Sequence, residues 1–579
     1  MGVMLLAGLA FELAVSISAS ACTHGPCFPG NEVCGKWGSQ VPKFHLMDQV
    51  GCAENDPNSP VFDPVHGVVH HFYQDHLAAA PGHGPIYGHF VSKDFVHWAQ
   101  MPVAIWNGID SSVWPPRKTP YDDQAIFTGS GVVVDGAGPG GKGPGIVHIY
   151  PGLCNRKTMP DCKTGTVLAQ AVPADYAGDA LLTNWTKPSY NPIMKNTQRD
   201  PSTPWKLPNG EWRLRTFDSF YGTASDADML AGKWYALGKS KDFRTCECPS
   251  FYPLPRATPG FEADYQKAAS SFILPSHVHK TSCGGDFWQV GTYDAGNPKS
   301  TGHFHATPGW EDLFAQRKMD VGNFYASKDN VYPSKDGVPR RTNWGWALVD
   351  HGTQTLPREI TFNAAARCLQ QAPIEELSAL RGPKAYEAQG LTIPAGTTRL
   401  GLKSGVALQS ESVMTFALPT SNASFGVSVG HPAAMDVNSA QSKLPSLNCM
   451  IKYSPPRPDV LGTFYEVDVT CDGKTDKLRL LTQEKVMEIR MFVDNTFAEV
   501  FFQHGRVAMT IRAGLSSDSD IALVASTPIT LQAGSVYPMQ DIWVTPADVR
   551  KSARVYPPLH MNAFGAFEAR GTNASTIYT

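Results

Sequence analysis

The amino-acid sequence predicts an all-β protein: a propeller of radially arranged short sheets, followed by a β-sandwich. Three observations carry this. The 579 residues include 52 Gly and 46 Pro, together about 17% of the chain, against a usual share of about 12%. Such punctuation suits short strands joined by turns better than long helices. Strand-like segments recur between about residues 65 and 350, at Val68–Gln74, Ala125–Asp135, Ile146–Tyr150, Glu211–Phe217, Phe287–Tyr293 and Trp344–Val349, bounded by Gly, Pro, Asn and Asp clusters. Finally, a phrase returns: Ser92-Lys93-Asp94-Phe95, Ser240-Lys241-Asp242-Phe243 and Ser327-Lys328-Asp329. The Ser and Asp side chains suit tight turns, and the two intervals approximate two blades and one if a blade takes about 70 residues. Closing such sheets into a ring gives a propeller. Chance recurrence of a common turn tripeptide competes with that reading.

The remaining elements follow in order. Residues 4–21 are largely apolar and end in Ala19-Ser20-Ala21, the small-x-small pattern of signal-peptide cleavage, although the segment lacks a basic n-region and contains Glu12. We therefore assign 1–21 to a signal peptide and 22–372 to the propeller. Pro373 to Gly382 has an opening Pro, Glu375 and Glu376 in the first turn, Arg381 in the last and Gly behind it, the marks of a short helix; a linker helix is expected over 373–390. Beyond it Met487–Val493 alternates with period two, Asp494-Asn495 turns the chain into Phe497–Phe502, and Gly505 leads into Val507–Ile511. This is an antiparallel sheet with one covered face, placed in a β-sandwich over 391–550, with a C-terminal tail over 551–579.

Composition narrows the function classes. There are 49 Lys+Arg against 52 Asp+Glu and 17% charged residues, which excludes a disordered chain and argues against a nucleic-acid or membrane-surface partner. The 13 Trp and 19 Tyr serve equally as walls for sugar rings or as area in a β core. Twelve cysteines, four of them at Cys22, Cys27, Cys34 and Cys52, fit disulfides in an oxidising compartment. Cys154 and Cys162 are one candidate pair, Cys449 and Cys471 another. Cys246 and Cys248 have no second pair at zinc-ligand spacing, so neither metal nor cofactor is expected. Sequons at Asn184, Asn422 and Asn573 agree with export, outside the cell or to a vacuole. The sequence sets no oligomeric state.

Three acidic segments carry the chemistry: Glu54-Asn55-Asp56-Pro57-Asn58, Gln198-Arg199-Asp200-Pro201 and Cys246-Glu247-Cys248-Pro249. A nearby Pro biases each backbone to extended geometry at a strand end; alone, each is most simply a turn. Together they resemble glycoside hydrolase family 32, the β-fructofuranosidases. Phe72-Tyr73-Gln74 is similar to the family's FYQ, Gly88–Trp98 to its GHxxSxDLxxW segment and Phe127–Gly131 to its FSGSA strand. Gly322–Lys328, Trp344-Gly345-Trp346, Leu356–Glu359 and Val493-Asp494-Asn495 with Glu499-Val500-Phe501 continue the resemblance in order.

The resemblance implies a five-bladed propeller with a funnel, followed by the sandwich. It implies Asp56 as nucleophile on a terminal fructofuranosyl unit, Glu247 as general acid and then base, and Asp200 as the carboxylate that binds ring hydroxyls. Asn55, Gln74, Phe127, Thr128 and Arg199 are the implied substrate-binding residues. A retaining mechanism needs two carboxyls about 5 Å apart, so Asp56 and Glu247 must converge across the chain. The chain departs from the family pattern at Glu54 (a hydrophobic position), Ser59 (a Gly), Cys246 (an aromatic) and Pro81–Pro85 (no Trp). Val278–Asp286 lacks the Asp/Lys pair of plant sucrose-users, which tilts the expectation toward fructans. The expected function is hydrolytic release of terminal β-fructosyl units from sucrose, fructo-oligosaccharides or fructans such as inulin and levan. A fructosyltransferase is the alternative, and an inactive sugar-binding relative the least favoured.

Overall fold

A computed structural model describes residues 41–77, 81, 84–271, 274–307, 317–349, 352–431, 446–456 and 463–557, with the backbone of 559–561 and 567–569. The expected signal peptide, Cys22, Cys27, Cys34 and Asn573 lie outside the described residues.

Five antiparallel sheets follow one another along the chain. The first holds β1 (Glu54–Asp63), β2 (Val68–Asp75), β3 (Ile86–Ser92) and β4 (Ala99–Ile105). A ribbon of β5 (Ile109–Asp110) and β6 (Arg117–Lys118) precedes the second. That sheet comprises β7 (Ala125–Ile126), β8 (Ser130–Asp135), β9 (Pro144–Leu153), β10 (Thr166–Pro173), β11 (Trp185–Thr186) and β12 (Met194–Lys195). The third is β13 (Trp205–Lys206), β14 (Trp212–Arg215), β15 (Ser219–Thr223) and β16 (Tyr235–Lys239). The fourth is β17 (Glu247–Pro253), β18 (His277–Ser282), β19 (Asp286–Asp294) and β20 (His303–Ala306). The fifth is β21 (Phe324–Tyr332), β22 (Arg340–Ala347), β23 (Thr353–Gln354), β24 (Arg358–Asn363) and β25 (Cys368–Pro373).

Buried polar side chains on β21 close these sheets into a ring. Asn330 Nδ2 donates to Pro60 O of β1 (2.8 Å) and to Gly131 O of β8 (3.1 Å). Lys328 Nζ donates to Pro201 O (2.8 Å) and Ser130 Oγ (3.2 Å). Lys280 of β18 donates to Cys248 O (2.8 Å) and Ser327 O. The fifth sheet therefore bonds to the first, second and fourth, and these buried groups find backbone carbonyls as partners. The result is a five-bladed β-propeller.

A 3₁₀ turn at Glu375–Leu380 leads to two six-stranded sheets packed face to face. One has the order β26, β37, β28, β33, β34, β35, and the other β27, β36, β29, β30, β31, β32. Their ranges are β26 (Tyr386–Ile393), β27 (Gly396–Arg399), β28 (Gln409–Ala417), β29 (Ala423–Gly430), β30 (Ser446–Tyr453), β31 (Phe464–Cys471), β32 (Lys474–Leu481), β33 (Val486–Asp494), β34 (Phe497–Phe502), β35 (Val507–Arg512), β36 (Asp520–Ala525) and β37 (Ile529–Pro538). Inward-facing Val, Ile, Leu, Met and Phe of both sheets form one core, the β-sandwich packing of alternating strands. Among the described residues no helix is long and apolar enough to cross a membrane.

A buried charge network joins the domains. Arg358, in the Leu356–Glu359 motif, bonds Glu499 (Nε to Oε2, 2.9 Å) and pairs with Asp320 (2.9 Å). Leu356 N donates to Glu499 Oε1 (2.6 Å), and His45 bridges Asp494 (2.8 Å) and Glu499 (3.0 Å). Burial pulls the His45 imidazole down, but the two carboxylates outweigh it and raise its pKa. Two motifs more than 100 residues apart thus meet at the interface rather than at the pocket.

Three expectations are corrected. The recurring phrase marks no blade period: Ser92–Phe95 joins the third and fourth strands of sheet one, Ser240–Phe243 follows the last strand of sheet three, and Ser327-Lys328-Asp329 lies inside β21. The linker is helical only over Glu375–Leu380, because β26 begins at Tyr386. The segment after β37 leaves the sandwich and returns to the first sheet, where Trp98 N donates to Ile542 O (2.8 Å) and Val544 N to Trp98 O (2.9 Å). Arg554 then bonds the carbonyls of Pro64 (2.8 Å) and Val65 (2.9 Å).

Candidate active site

Asp56 and Glu247 are aimed by irregularities in β1 and β17, and Asp200 by a left-handed residue between β12 and β13. In β1, Glu54 pairs with Asp75 but Pro57 with Tyr73, so three steps on β1 face two on β2 and Asn55-Asp56 sits in a bulge. In β17, Glu247 pairs with Ser282 and Ser250 with Lys280, which places Cys248-Pro249 in a second bulge. In β21, Tyr325 pairs with Trp346 and Lys328 with Trp344, so Ala326-Ser327 form a third. A bulge removes ladder bonds and re-aims side chains, and proline, lacking an N–H, is tolerated there. Cys248 (φ 43°), Ala326 (φ 53°) and Asp200 (φ 61°) all lie in the left-handed region, which costs a non-glycine residue about 1–2 kcal/mol. The Asp286 carboxylate supports the third bulge, accepting from Ala326 N (3.1 Å) and Ser327 N (2.8 Å).

Asp56 Oδ2 accepts from the Thr128 hydroxyl and from Cys248 Sγ (3.5 Å). Gln74 Nε2 donates to Thr128 Oγ1 (2.7 Å), so a chain of donors from β2 through the loop before β8 fixes this oxygen. Asp200 Oδ2 accepts from Cys248 N (3.3 Å), and Arg199 Nε lies 3.6 Å away. Arg199 Nη2 also bonds Glu247 Oε1, while Tyr325 OH donates to Glu247 Oε2 (2.7 Å). Cys248, next in the chain to Glu247, thereby touches both other acids, and all three carboxyls belong to one hydrogen-bonded cluster.

Asn55 lies beside Asp56 in the bulge; its Oδ1 meets His76 Nε2, and its carbonyl accepts from Gln354 Nε2 (2.8 Å). Phe127, half-buried, accepts from Tyr87 OH (2.8 Å) through its carbonyl. The structure thus joins Asp56, Asp200, Glu247, Gln74, Thr128 and Arg199 in one bonded network, with Asn55 and Phe127 adjoining it through the backbone.

Burial raises the Asp56 carboxyl, against the Thr128 and Cys248 hydrogen bonds and the charge of Lys328. Burial and the Asp56 charge push Asp200 up to about 7, although Arg199 and Lys328 oppose the shift. Two recessed carboxyls that disfavour joint ionisation titrate as a pair, one giving up its proton well before the other. Burial also raises the Cys248 thiol well above its ordinary value, so it is a neutral donor to Asp56.

Sequence reasoning missed Tyr325, Cys248 and Lys328 as site residues, although all three lie in quoted motifs. It also missed the Cys246–Cys283 disulfide, 37 residues apart and invisible in a Cys-x-Cys reading. The Cys154–Cys162 and Cys449–Cys471 disulfides are present. Glu54 points away from the pocket: fully buried, it accepts from Asp48 N (2.8 Å) and Gln354 Nε2 (3.0 Å), and burial with the Asp48 charge raises it far above the ordinary carboxyl range. Among the described residues Asp48, Cys52 and Asp75 bring ligand atoms together, but Cys52 is disulfide-bonded and has no thiolate to offer a metal.

Known proteins resemble the chain along most of its length. An insoluble β-fructofuranosidase isoenzyme of Arabidopsis thaliana is 30% identical over 407 residues, 65% of this chain and 67% of the relative. The fructan 6-exohydrolase of Triticum aestivum is 28% identical over 422 residues, 66% of this chain and 64% of the relative. The crystal structure of fructan 1-exohydrolase IIa from Cichorium intybus superposes with a TM-score of 0.66 at 20% identity, covering 87% of this chain and 98% of that one. The profile of the glycosyl hydrolases family 32 N-terminal domain matches residues 45–373, the whole ring of five sheets, and the chain therefore belongs to glycosyl hydrolases family 32.

Proposed function

We propose that the protein is a retaining β-fructofuranosidase, with Asp56 as nucleophile, Glu247 as acid/base and Asp200 as the carboxyl that binds ring hydroxyls. The observation that carries this is the single network in which Cys248 touches Asp56 and Asp200 while its neighbour Glu247 is held by Arg199 and Tyr325. Double displacement requires two carboxyls of distinct environment held close together.

Thr128 and Cys248 both occupy Asp56 Oδ2, which leaves Oδ1 to attack the anomeric carbon of the fructosyl unit. As that bond forms, the glycosidic bond breaks, its electron pair goes to the leaving oxygen, and Glu247 gives that oxygen its proton. A covalent fructosyl–Asp56 ester results. Glu247, now a carboxylate, takes a proton from water; the hydroxide oxygen bonds the anomeric carbon and Asp56 departs. Asp200, held largely protonated below pH 7, donates to or accepts from ring hydroxyls without a second full charge beside the nucleophile. Arg199 bridges Glu247 and Asp200.

The substrates are terminal fructosyl units of sucrose and of fructans, as the relatives' names indicate for those enzymes. The Lys and Asp flanking the tight turn from β18 to β19, Lys280 and Asp286, pair with each other (3.3 Å) and are buried, so the turn itself, Cys283-Gly284-Gly285, carries no exposed Asp/Lys pair, which supports fructans as the preferred donors. Three disulfides among the described residues and exposed sequons at Asn184 and Asn422 support export, outside the cell or to a vacuole.

Product analysis after incubation with sucrose, inulin and levan at equal fructosyl concentration tests the reading, with Asp56→Ala as blank. Free fructose is expected, more from the fructans than from sucrose, and none from Asp56→Ala. Longer saccharides as the main product from sucrose would establish a transferase instead. Silence of the folded wild type on all three would leave only sugar binding.

A further inference from the structure

We propose that the Cys246–Cys283 disulfide is a positioning element for Glu247, fixing its carboxyl on the leaving-group side of the pocket; the inference rests on the assignment of Glu247 as acid/base.

The backbone around Glu247 is weakly held by the sheet. Glu247 is the first residue of β17; its register partner is Ser282, and the next paired residue is Ser250. Between them lie Cys248, in the left-handed region, and Pro249, which has no N–H. On the other side Ser240–Thr245 forms no strand, and apart from buried Phe243 and half-buried Ser240 its residues are exposed. Its side-chain partners are Tyr325, whose OH donates to Oε2 (2.7 Å), and Arg199. Glu247 is 30% exposed and its partner Arg199 45% exposed, and such solvent-screened pairs set geometry poorly.

The disulfide supplies the missing anchor at the residue preceding Glu247. Its far end, Cys283, directly follows Ser282, with Cα atoms 5.7 Å apart. The crosslink therefore lies beside the one ladder pair that Glu247 makes. Cys283 opens the turn to β19, followed by Gly284 (φ 69°) and Gly285 (φ 150°), and two glycines leave such a turn pliable without a tie. The same turn controls the other side of the carboxyl. Ser282 O lies 3.2 Å from Tyr325 OH, and Asp286, just past the turn, holds the Ala326-Ser327 bulge next to Tyr325. Tying Cys246 to Cys283 thus fixes the acid and its tyrosine donor to one segment. At position 246 the family resemblance leads one to expect an aromatic; here a covalent bond takes over the support of the acid.

The test compares kcat/KM for a fructan or sucrose, whose leaving groups need a proton, with that for 4-nitrophenyl β-D-fructofuranoside, whose leaving group needs little help. Cys246→Ala/Cys283→Ala is expected to lose about tenfold or more on the natural donor but less than about threefold on the aryl fructoside, in line with the 10²–10⁴-fold scale of acid–base catalysis. Cys449→Ser/Cys471→Ser, which removes the sandwich disulfide, is expected to leave the ratio unchanged. Should the first double variant not fold, dithiothreitol on the folded wild type provides the same comparison: two electrons and two protons convert the disulfide to two thiols and the reagent to its cyclic disulfide. Equal losses on both substrates, or none, would overturn the proposal. Glu247→Gln separates the two levels. If it keeps near-normal turnover of natural donors, the acid/base assignment has failed. If it shows the leaving-group signature and the disulfide variant does not, only the positioning role has.

Discussion

Replacing Asp200 with Asn removes a buried titrating carboxyl and keeps its shape. Asp200 is 3% exposed, and burial beside Asp56 carries it from its ordinary 3.8 to about 7 in the folded protein. The sign follows from linkage. Below about pH 4 the carboxyl is protonated in both folded and unfolded chains and costs nothing. Between about pH 4 and 7 the unfolded chain releases the proton while the folded one keeps it, so stability falls by about 1.4 kcal/mol for each pH unit. Above pH 7 the loss levels off at about 4 kcal/mol. Asp200→Asn should therefore match the wild type near pH 4 and exceed it by up to about 4 kcal/mol near pH 8, while turnover is lost. Urea unfolding of both proteins at the two pH values, followed by tryptophan fluorescence, reads the difference. An equal offset at both pH values, or a variant less stable at pH 8, would refute the account of Asp200 as a buried, raised carboxyl.

Two further outcomes follow from groups around the acids. Lys328 is buried, with burial lowering its own pKa, and its charge holds the pKa values of Asp56 and Asp200 down. In Lys328→Met the acidic limb of the kcat/KM profile should therefore move to higher pH; an unmoved limb in a folded variant would exclude this role. Ser59 holds φ at 45° where the family pattern has Gly. Ser59→Gly relieves a cost of about 1 kcal/mol, partly offset by the freedom glycine gains on unfolding, so a gain of about 0.5 kcal/mol or more is expected in chemical denaturation. A loss would show that the serine side chain repays its strained backbone.

The acids were legible because each stands in a short run with its own local constraint, Asp56 and Asp200 before proline and Glu247 before Cys248-Pro249. The alternating strands of the sandwich were legible for the same reason: Met487–Val493 states its period within seven residues. What escaped depends on the partner strand. Nothing in Asn55-Asp56 or Ala326-Ser327 marks a bulge, since a bulge is a mismatch of register between two chains. Lys328 read as part of a turn phrase because Ser-Lys-Asp does form turns elsewhere in this chain; only ring closure makes it an axial group. Cys246 looked like half of a Cys-x-Cys, and its true partner depends on how β17 lies along β18. The return of residues 539–557 to the first sheet has no period to read, being held by scattered backbone bonds and by Arg554.

The location of strain explains why the chain can depart from its family so near the acids. The direction of each acid is set by its backbone, through a bulge or a left-handed residue, and by donors behind it: Thr128 and Cys248 for Asp56, Cys248 for Asp200 and Tyr325 for Glu247. A substitution that leaves bulge and donors intact leaves the acid in place, as Glu54 does by turning into its own buried hydrogen-bond set. The cost is a pocket holding two raised carboxyls and three non-glycine residues in left-handed geometry, each of the latter disfavoured by about 1–2 kcal/mol. Such strain persists only where the surroundings over-determine the conformation. Here the axial bonds of Asn330, Lys328 and Lys280 pin the bulged strands from below. At position 246, where the backbone is otherwise loose, a disulfide does it from above.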